Sequence, residues 1–296
     1  MIEVNDMTLT YPGGKGVFDL SFTVKDGEIT GYLGPNGSGK TTTIRALLGF
    51  MSPDKGICRI NGLDCVTESP SVQKKLGYIP GEISFPDGMN GDEFLKVLSD
   101  MRRVRNIVLE KRLSDMFELN PKGKIRKFSK GMKQKLGIIA AFMHDPDVYI
   151  LDEPTGGLDP LMQNRFVELL LSEKAAGKTV LMSSHIFEEV EKTCDNTLII
   201  KDGRIVAQSD IKTLKSSQRK AFSIGCEDSE KAVEIYKSKG FEVVNVQDGI
   251  LDIYVAGDKI DTFIKTAAAM KVLSFDTKNQ TLEDVFMHFY GKEGVS

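Results

Sequence analysis

What this 296-residue chain lacks narrows what it can be. It has no long hydrophobic run. The longest, Leu136 to Met143, is far short of the ~20 apolar residues that a membrane-spanning helix needs, so the polypeptide is not expected to cross a bilayer by itself. It has no paired cysteines. Its four (Cys58, Cys65, Cys194, Cys226) are scattered without a C-x-x-C, which argues against a disulfide frame or a zinc site and suits reduced thiols in a cytosolic protein. It has no excess of positive charge. The net charge is −3 and the pI about 5.8, so bulk electrostatics offers no pull toward nucleic acid. The start, Met1-Ile-Glu-Val-Asn-Asp6, brings acids early and has no signal-peptide pattern. With 41% hydrophobic residues, one large or two moderate domains can each bury a core.

What is present begins with a Gly-rich loop. Gly34-Pro35-Asn36-Gly37-Ser38-Gly39-Lys40-Thr41 matches G-x-x-x-x-G-K-[ST]. An apolar strand, Glu28 to Leu33, precedes it, and a helical run, Thr42 to Leu48, follows. The glycines let the backbone curl so that N–H groups face a β-phosphate. Lys40 can reach β- and γ-phosphates, and the Thr41 hydroxyl can ligate Mg²⁺. No N-K-x-D motif for reading guanine accompanies the loop, which disfavours a GTPase.

A second stretch, Phe128 to Asp159, supplies the other half of a nucleotide chemistry. A short Gly-bearing loop opens a helix, whose start suits phosphate. Further on, the apolar run Val148-Tyr-Ile-Leu151 leads straight into Asp152 and Glu153. Two carboxylates at a strand tip suit a metal ion and an activated water. Asp152 is assigned to the Mg²⁺ with Thr41, and Glu153 to polarising the attacking water.

These motifs, in this order, resemble the ATP-binding subunit of an ABC transporter, over about residues 1 to 215. Phe128-Ser129-Lys130-Gly131-Met132 is similar to that family's signature loop, Gly157-Leu158-Asp159 to its D-loop and His185 to its switch histidine. The resemblance implies ATP and Mg²⁺ as cofactors, with Gly34 to Thr42 around the phosphates and Tyr11 stacked on adenine. It implies that His185 contacts the γ-phosphate. It also implies that Ser129, Gly131 and Asp159 serve the ATP of a second ATPase subunit packed head to tail. Two departures stand out. Gly81, followed by Glu82, occupies the place of a Gln that senses the metal, and Glu82 is assigned as the substitute metal ligand. Lys130 and Met132 replace Gly and Gln in the signature.

The organisation expected is an α/β P-loop cassette, residues 1–215, with a helical subdomain at about 82–145. A polar, Ser- and Lys-rich stretch, Ile211 to Lys220, reads as a linker. Beyond it, strands and helices in β-α-β-β-α-β order over 216–296 predict a small ferredoxin-like α+β domain. A last helix is expected at Leu282 to Phe289. From Lys220 to Ser296 there are 9 Lys against 13 acids, which argues against a nucleic-acid partner there as well. The segment Leu282 to Phe286 is similar to a tail of ABC-2 exporter ATPases. The resemblance therefore implies an ATPase at the cytoplasmic face of the cell membrane, peripheral, driving separate ABC-2 type permease chains. The competing expectation is a soluble ABC ATPase on a non-membrane partner such as the ribosome. One P-loop, no long heptads and no basic arm weigh against it.

Overall fold

The computed structural model describes residues 1–184, 186–211, 213, 220–255 and 259–279. The expected linker interior, the helix at 282–289 with its ABC-2-like segment, and His185 lie outside them. The chain divides into two compact units, Met1–Ile211 and Lys212–Ser296.

Unit one holds two sheets. The antiparallel sheet has the order β2-β1-β4-β5, from Ile2–Thr10 (β1), Gly16–Val24 (β2), Lys55–Ile60 (β4) and Leu63–Asp64 (β5). The larger sheet has the order β10-β9-β3-β8-β7-β6. It comprises Ile29–Leu33 (β3), Leu76–Ile79 (β6), Val148–Asp152 (β7), Thr179–Ser183 (β8), Asn196–Lys201 (β9) and Arg204–Asp210 (β10). Its pairs are parallel except at the β9–β10 hairpin. That hairpin turns on Asp202 and Gly203, both with positive φ as a two-residue primed turn requires. The central strands β3, β7 and β8 are buried at every position, which is why they read as continuous apolar runs rather than as alternation.

Lys40–Leu47 (α1) shares a core with both sheets. Ile44 and Leu47 belong to one buried cluster with Ile2, Val4 and Leu20 of the antiparallel sheet and with Ile150, Leu181 and Leu198 of the parallel one. The remaining helices are Ser69–Lys74 (α2), Gly91–Arg102 (α3), Ile107–Met116 (α4), Lys130–Phe142 (α5), Pro160–Ala175 (α6) and Phe187–Thr193 (α7). Helix α5 packs over β6 and β7, and the Phe142 ring stacks on Tyr149 at 4.3 Å. A capping box of Asn90 and Glu93 starts α3.

The expected linker is corrected at its ends. Ile211 is buried and its N–H bonds to Asp195 O at 2.8 Å, so it closes the first unit. Lys220 already opens a strand of the second.

Unit two contains Lys220–Cys226 (β11), Ser229–Ser238 (α8), Glu242–Gln247 (β12), Ile250–Val255 (β13), Ile260–Ala268 (α9) and Val272–Asn279 (β14). Its antiparallel sheet has the order β12-β13-β11-β14, which is the strand order of a split β-α-β motif. Alternate residues Phe222, Ile224, Leu251 and Ile253 face the helices, and Phe222 meets Phe263 at 4.5 Å between ring centroids.

Candidate functional site

The Gly-rich loop leaves β3 and turns directly into α1. Two glycines there have no substitute. A Cβ on Gly34 would stand 2.5 Å from Ile200 O and from Ser38 Oγ. Gly39 has φ +111°, and a Cβ there would meet Val17 at 2.5 Å. The loop thus ends with the unpaired first-turn amides of α1 turned toward it, a ready anion site.

Lys40 is the first residue of α1 and is 8% exposed. Its Nζ donates to Gly34 O at 2.5 Å and Pro35 O at 3.1 Å, so the loop itself holds the ammonium. Burial pushes its pKa down, while the charges of Glu153 and Asp152 oppose that shift. The two carboxylates favour the cation where the interior would neutralise it.

Asp152 ends β7 and is opposite Ser183 of β8 in parallel register. The Ser183 hydroxyl donates to Asp152 Oδ1 at 2.5 Å, and Thr41 Oγ1 donates to Oδ2 at 3.2 Å. Having spent its one proton on Asp152, Ser183 Oγ accepts from Glu153 N at 3.1 Å. Glu153 N also reaches Ser183 O at 3.1 Å. Glu153 is left-handed, with φ 47°, a conformation that costs on the order of 1 kcal/mol or more in a non-glycine residue and persists only when neighbours hold it. The strain sits on one of the two acids singled out in the sequence.

These groups line one open cavity of about 630 Å³. Asn36, Gly37, Gly39, Lys40, Thr41 and Thr42 form one wall, and Asp152, Glu153, Gly81 and Glu82 the other. Tyr11 is at one end, its hydroxyl 3.4 Å from Thr42 Oγ1 and 3.2 Å from Met51 Sδ. A Cβ on Gly81 would come 3.3 Å from Asp152 Oδ2. Position 81, not 82, is therefore the one whose side chain would point at Asp152. Glu82 lines the same cavity with an exposed side chain.

Ser129, Gly131 and Asp159 do not line this cavity. Ser129 and Asp159 are exposed N-caps, of α5 and α6, accepting from Met132 N at 3.2 Å and Met162 N at 3.0 Å. The start of α5 rests on the D-loop-like segment: a Cβ on Gly131 would meet Gly157 O at 2.8 Å. The stem of Lys130 lies over Gly157.

Three residues escaped the sequence reading. Arg45 lines the cavity one helical turn after Thr41, and that i, i+4 spacing was available to be read. Lys15 lines it from the loop between β1 and β2. Ser183 is brought to Asp152 only by the β7–β8 pairing, which no local pattern announces.

Residues 17–156 match the family model described as ABC transporter. The bacitracin transport ATP-binding protein BcrA of Bacillus licheniformis is 32% identical over 304 residues, covering 98% of this chain and 97% of that protein. The Nod factor export ATP-binding protein I of Burkholderia lata is 32% identical over 290 residues, covering 93% and 91%. Among solved structures, the ATP-binding subunit of an ABC transporter superposes with a TM-score of 0.68 at 32% identity, covering 73% of this chain and 92% of the other. With the phosphate loop, the carboxylate strand tip and the signature-like helix start in their places, the chain belongs to the ABC transporter ATP-binding family.

Proposed function

We propose that this ABC ATPase drives a membrane exporter, and that each of its ATP sites is completed by a second ATPase subunit packed head to tail. One observation carries the reading. Lys40, Thr41, Asp152 and Glu153 converge on one cavity, while Ser129, Gly131 and Asp159 stand apart from it: Ser129 and Asp159 are exposed N-caps, and half-buried Gly131 lies in the first turn of α5. Residues that can bind phosphate yet cannot serve their own loop need another chain's nucleotide.

The geometry of the described residues supports a division of labour. Loop amides and the first turn of α1 bind the β-phosphate. Lys40, already pointing along the loop, exchanges carbonyl partners for phosphate oxygens. The hard oxygen donors Thr41 Oγ1 and Asp152 Oδ2 fit Mg²⁺, which when bound supplies positive charge across the β- and γ-phosphates. Ser183 fixes the Asp152 carboxylate by holding Oδ1 and leaving Oδ2 toward Thr41. Glu153 accepts a proton from the attacking water. Its left-handed backbone turns the carboxylate out of the strand direction and into the cavity. Tyr11, at the cavity, packs against the adenine, and the γ-phosphate role of His185, which lies outside the described residues, rests on the family's motif order alone. Glu82 lines the same cavity and would serve the Mg²⁺ site from its rim.

The names of the relatives, for transport and export, support a membrane partner over a ribosomal one. The permease is of ABC-2 type and the chain sits peripherally at the cytoplasmic face. Residues 216–296 form a separate small domain.

Glu153→Gln tests the reading. It should bind Mg-ATP with near-normal affinity, lose at least about a hundredfold in hydrolysis, and accumulate as an ATP-dependent dimer in light scattering. A monomer at saturating Mg-ATP would overturn the head-to-tail arrangement.

A further inference from the structure

Gln134 is the one buried polar side chain of α5. It is 6% exposed and polar, and its Nε2 donates to Pro154 O at 2.6 Å. Pro154 is the residue after Glu153. Having no N–H, it offers the chain only its carbonyl as a handle. Gln134 takes that handle. Glu153 is therefore flanked by two holds: Ser183 grips its amide, and α5 grips the carbonyl of the next residue, Pro154.

The same helix touches the same loop a second time. Its first turn lies on Gly157, with Gly131 and the Lys130 stem as the contacts. Between the two contacts the loop is internally tied, by Gly156 N to Glu153 O at 3.1 Å and Leu158 N to Thr155 O at 3.0 Å. Residues 153–158 are thus attached to α5 at two points. Such a two-point attachment transmits a displacement where a single contact would pivot.

We infer that Gln134 is a positioning residue that couples the two ATP sites of the dimer, an inference that rests on the head-to-tail reading above. The Ser129 end of α5 faces the partner's phosphates. The Gln134 hydrogen bond passes any shift of α5 to Pro154, the residue next to Glu153, and so to the backbone that aims the Glu153 carboxylate at the chain's own ATP. A strained left-handed residue is a suitable receiver, because a small change in its supports moves its side chain a long way. Each subunit then senses its neighbour's nucleotide through its own signature helix, and hydrolysis at one site depends on occupancy of the other.

The test uses the full chain with Gln134→Leu, which keeps bulk and removes the donor, and Gln134→Glu, which is nearly isosteric. We expect kcat to fall about tenfold with KM changed less than about twofold, and the Hill coefficient for ATP to drop toward 1. In the Glu153→Gln background both variants should still bind Mg-ATP and dimerise. In Gln134→Glu, protonation of the introduced acid restores a donor. Its kcat relative to that of Gln134→Leu should therefore rise as pH is lowered, a response that loss of packing alone would not give. Unchanged kcat and Hill coefficient in both variants would overturn the coupling. So would parallel losses of ATP affinity, dimerisation and kcat, which would mark Gln134 as a packing residue. If Glu153→Gln alone fails to dimerise, the head-to-tail reading falls first and the coupling falls with it.

Discussion

Single residues in this protein are held by partners far away in sequence, and the pair Arg102 and His144 shows the consequence most clearly. The Arg102 guanidinium donates to Gln73 O at 2.9 Å, to Leu76 O at 3.2 Å and meets His144 Nε2 at 2.7 Å. Arginine has no acceptor, so toward Arg102 the ring can offer only the Nε2 lone pair of its neutral form, while the same Nε2 also lies 3.1 Å from Leu76 O. Burial, and next the Arg102 charge, push the His144 pKa down to about 4. The sign follows. A folded pKa below the unfolded value gives stability that is present above pH 6.5 and is lost as pH falls toward 4. The slope is about 1.4 kcal/mol per pH unit, so the loss approaches about 3 kcal/mol by pH 4. His144→Gln keeps an acceptor for Arg102 without titrating. Denaturant unfolding between pH 7 and 4 should show the wild type losing stability faster than the variant. Parallel pH profiles would show that His144 is not the titrating group. Lys40, Thr41, Asp152 and Glu153 could be read from the chain because phosphate and metal chemistry uses short linear patterns. Arg102–His144, Gln134–Pro154 and Ser183–Asp152 could not, since their partners are 42, 20 and 31 residues apart and only the fold brings them together.

Elements are placed by close approaches that small residues permit. Gly77 in β6 lies beneath α5 and beside β7. A Cβ there would be 2.6 Å from Ala141 O and 2.6 Å from Tyr149 Cδ1. The first obstacle is helix backbone, which cannot swing aside, and the second is a ring stacked on Phe142. Gly77→Ala should therefore destabilise the fold by about 1–3 kcal/mol despite the better strand propensity of alanine. Equilibrium denaturation reads this directly, and a neutral or stabilising effect would refute the packing argument. Such approaches are invisible in sequence, where Gly77 is simply one of 28 glycines. Apolar runs did mark β3 and β7. In β1, however, the apolar alternations Ile2 to Val4 and Met7 to Leu9 are interrupted by the polar pair Asn5 and Asp6. The strand continues through Asn5 and Asp6 because Asp6 takes φ 49° and the pairing shifts register there. A polar pair inside a strand looks like a turn until its bulge is seen. The pairing of β1 with β4 across some fifty residues likewise has no local signal.

At the scale of the whole molecule, the question is what this ATPase acts on. Among the described residues no helix is long and apolar enough to cross a bilayer; driving a separate permease requires a surface that meets it. The end of α3 and the start of α4 offer one. Met101 is 76% and Val108 82% exposed, with Val97, Val104 and Ile107 also open. Single exposed apolar side chains are ordinary, but five within twelve residues at one helix–helix junction are a recognisable interaction surface. The junction is tied to the core by Arg102, whose carbonyl partners lie at the end of α2 and the start of β6. A push on the junction therefore reaches β6, and through its pairing with β7 the Asp152 strand tip. If this surface seats the permease, the double variant Met101→Glu with Val108→Glu should keep ATP-driven dimerisation and basal hydrolysis. It should also lose at least about tenfold in recovery of a polytopic protein from detergent-solubilised membranes of the native host. The wild-type chain should recover that protein in a nucleotide-dependent way. Equal recovery by both chains would move the docking surface elsewhere, and recovery of ribosomes in place of a membrane protein would overturn the exporter reading itself.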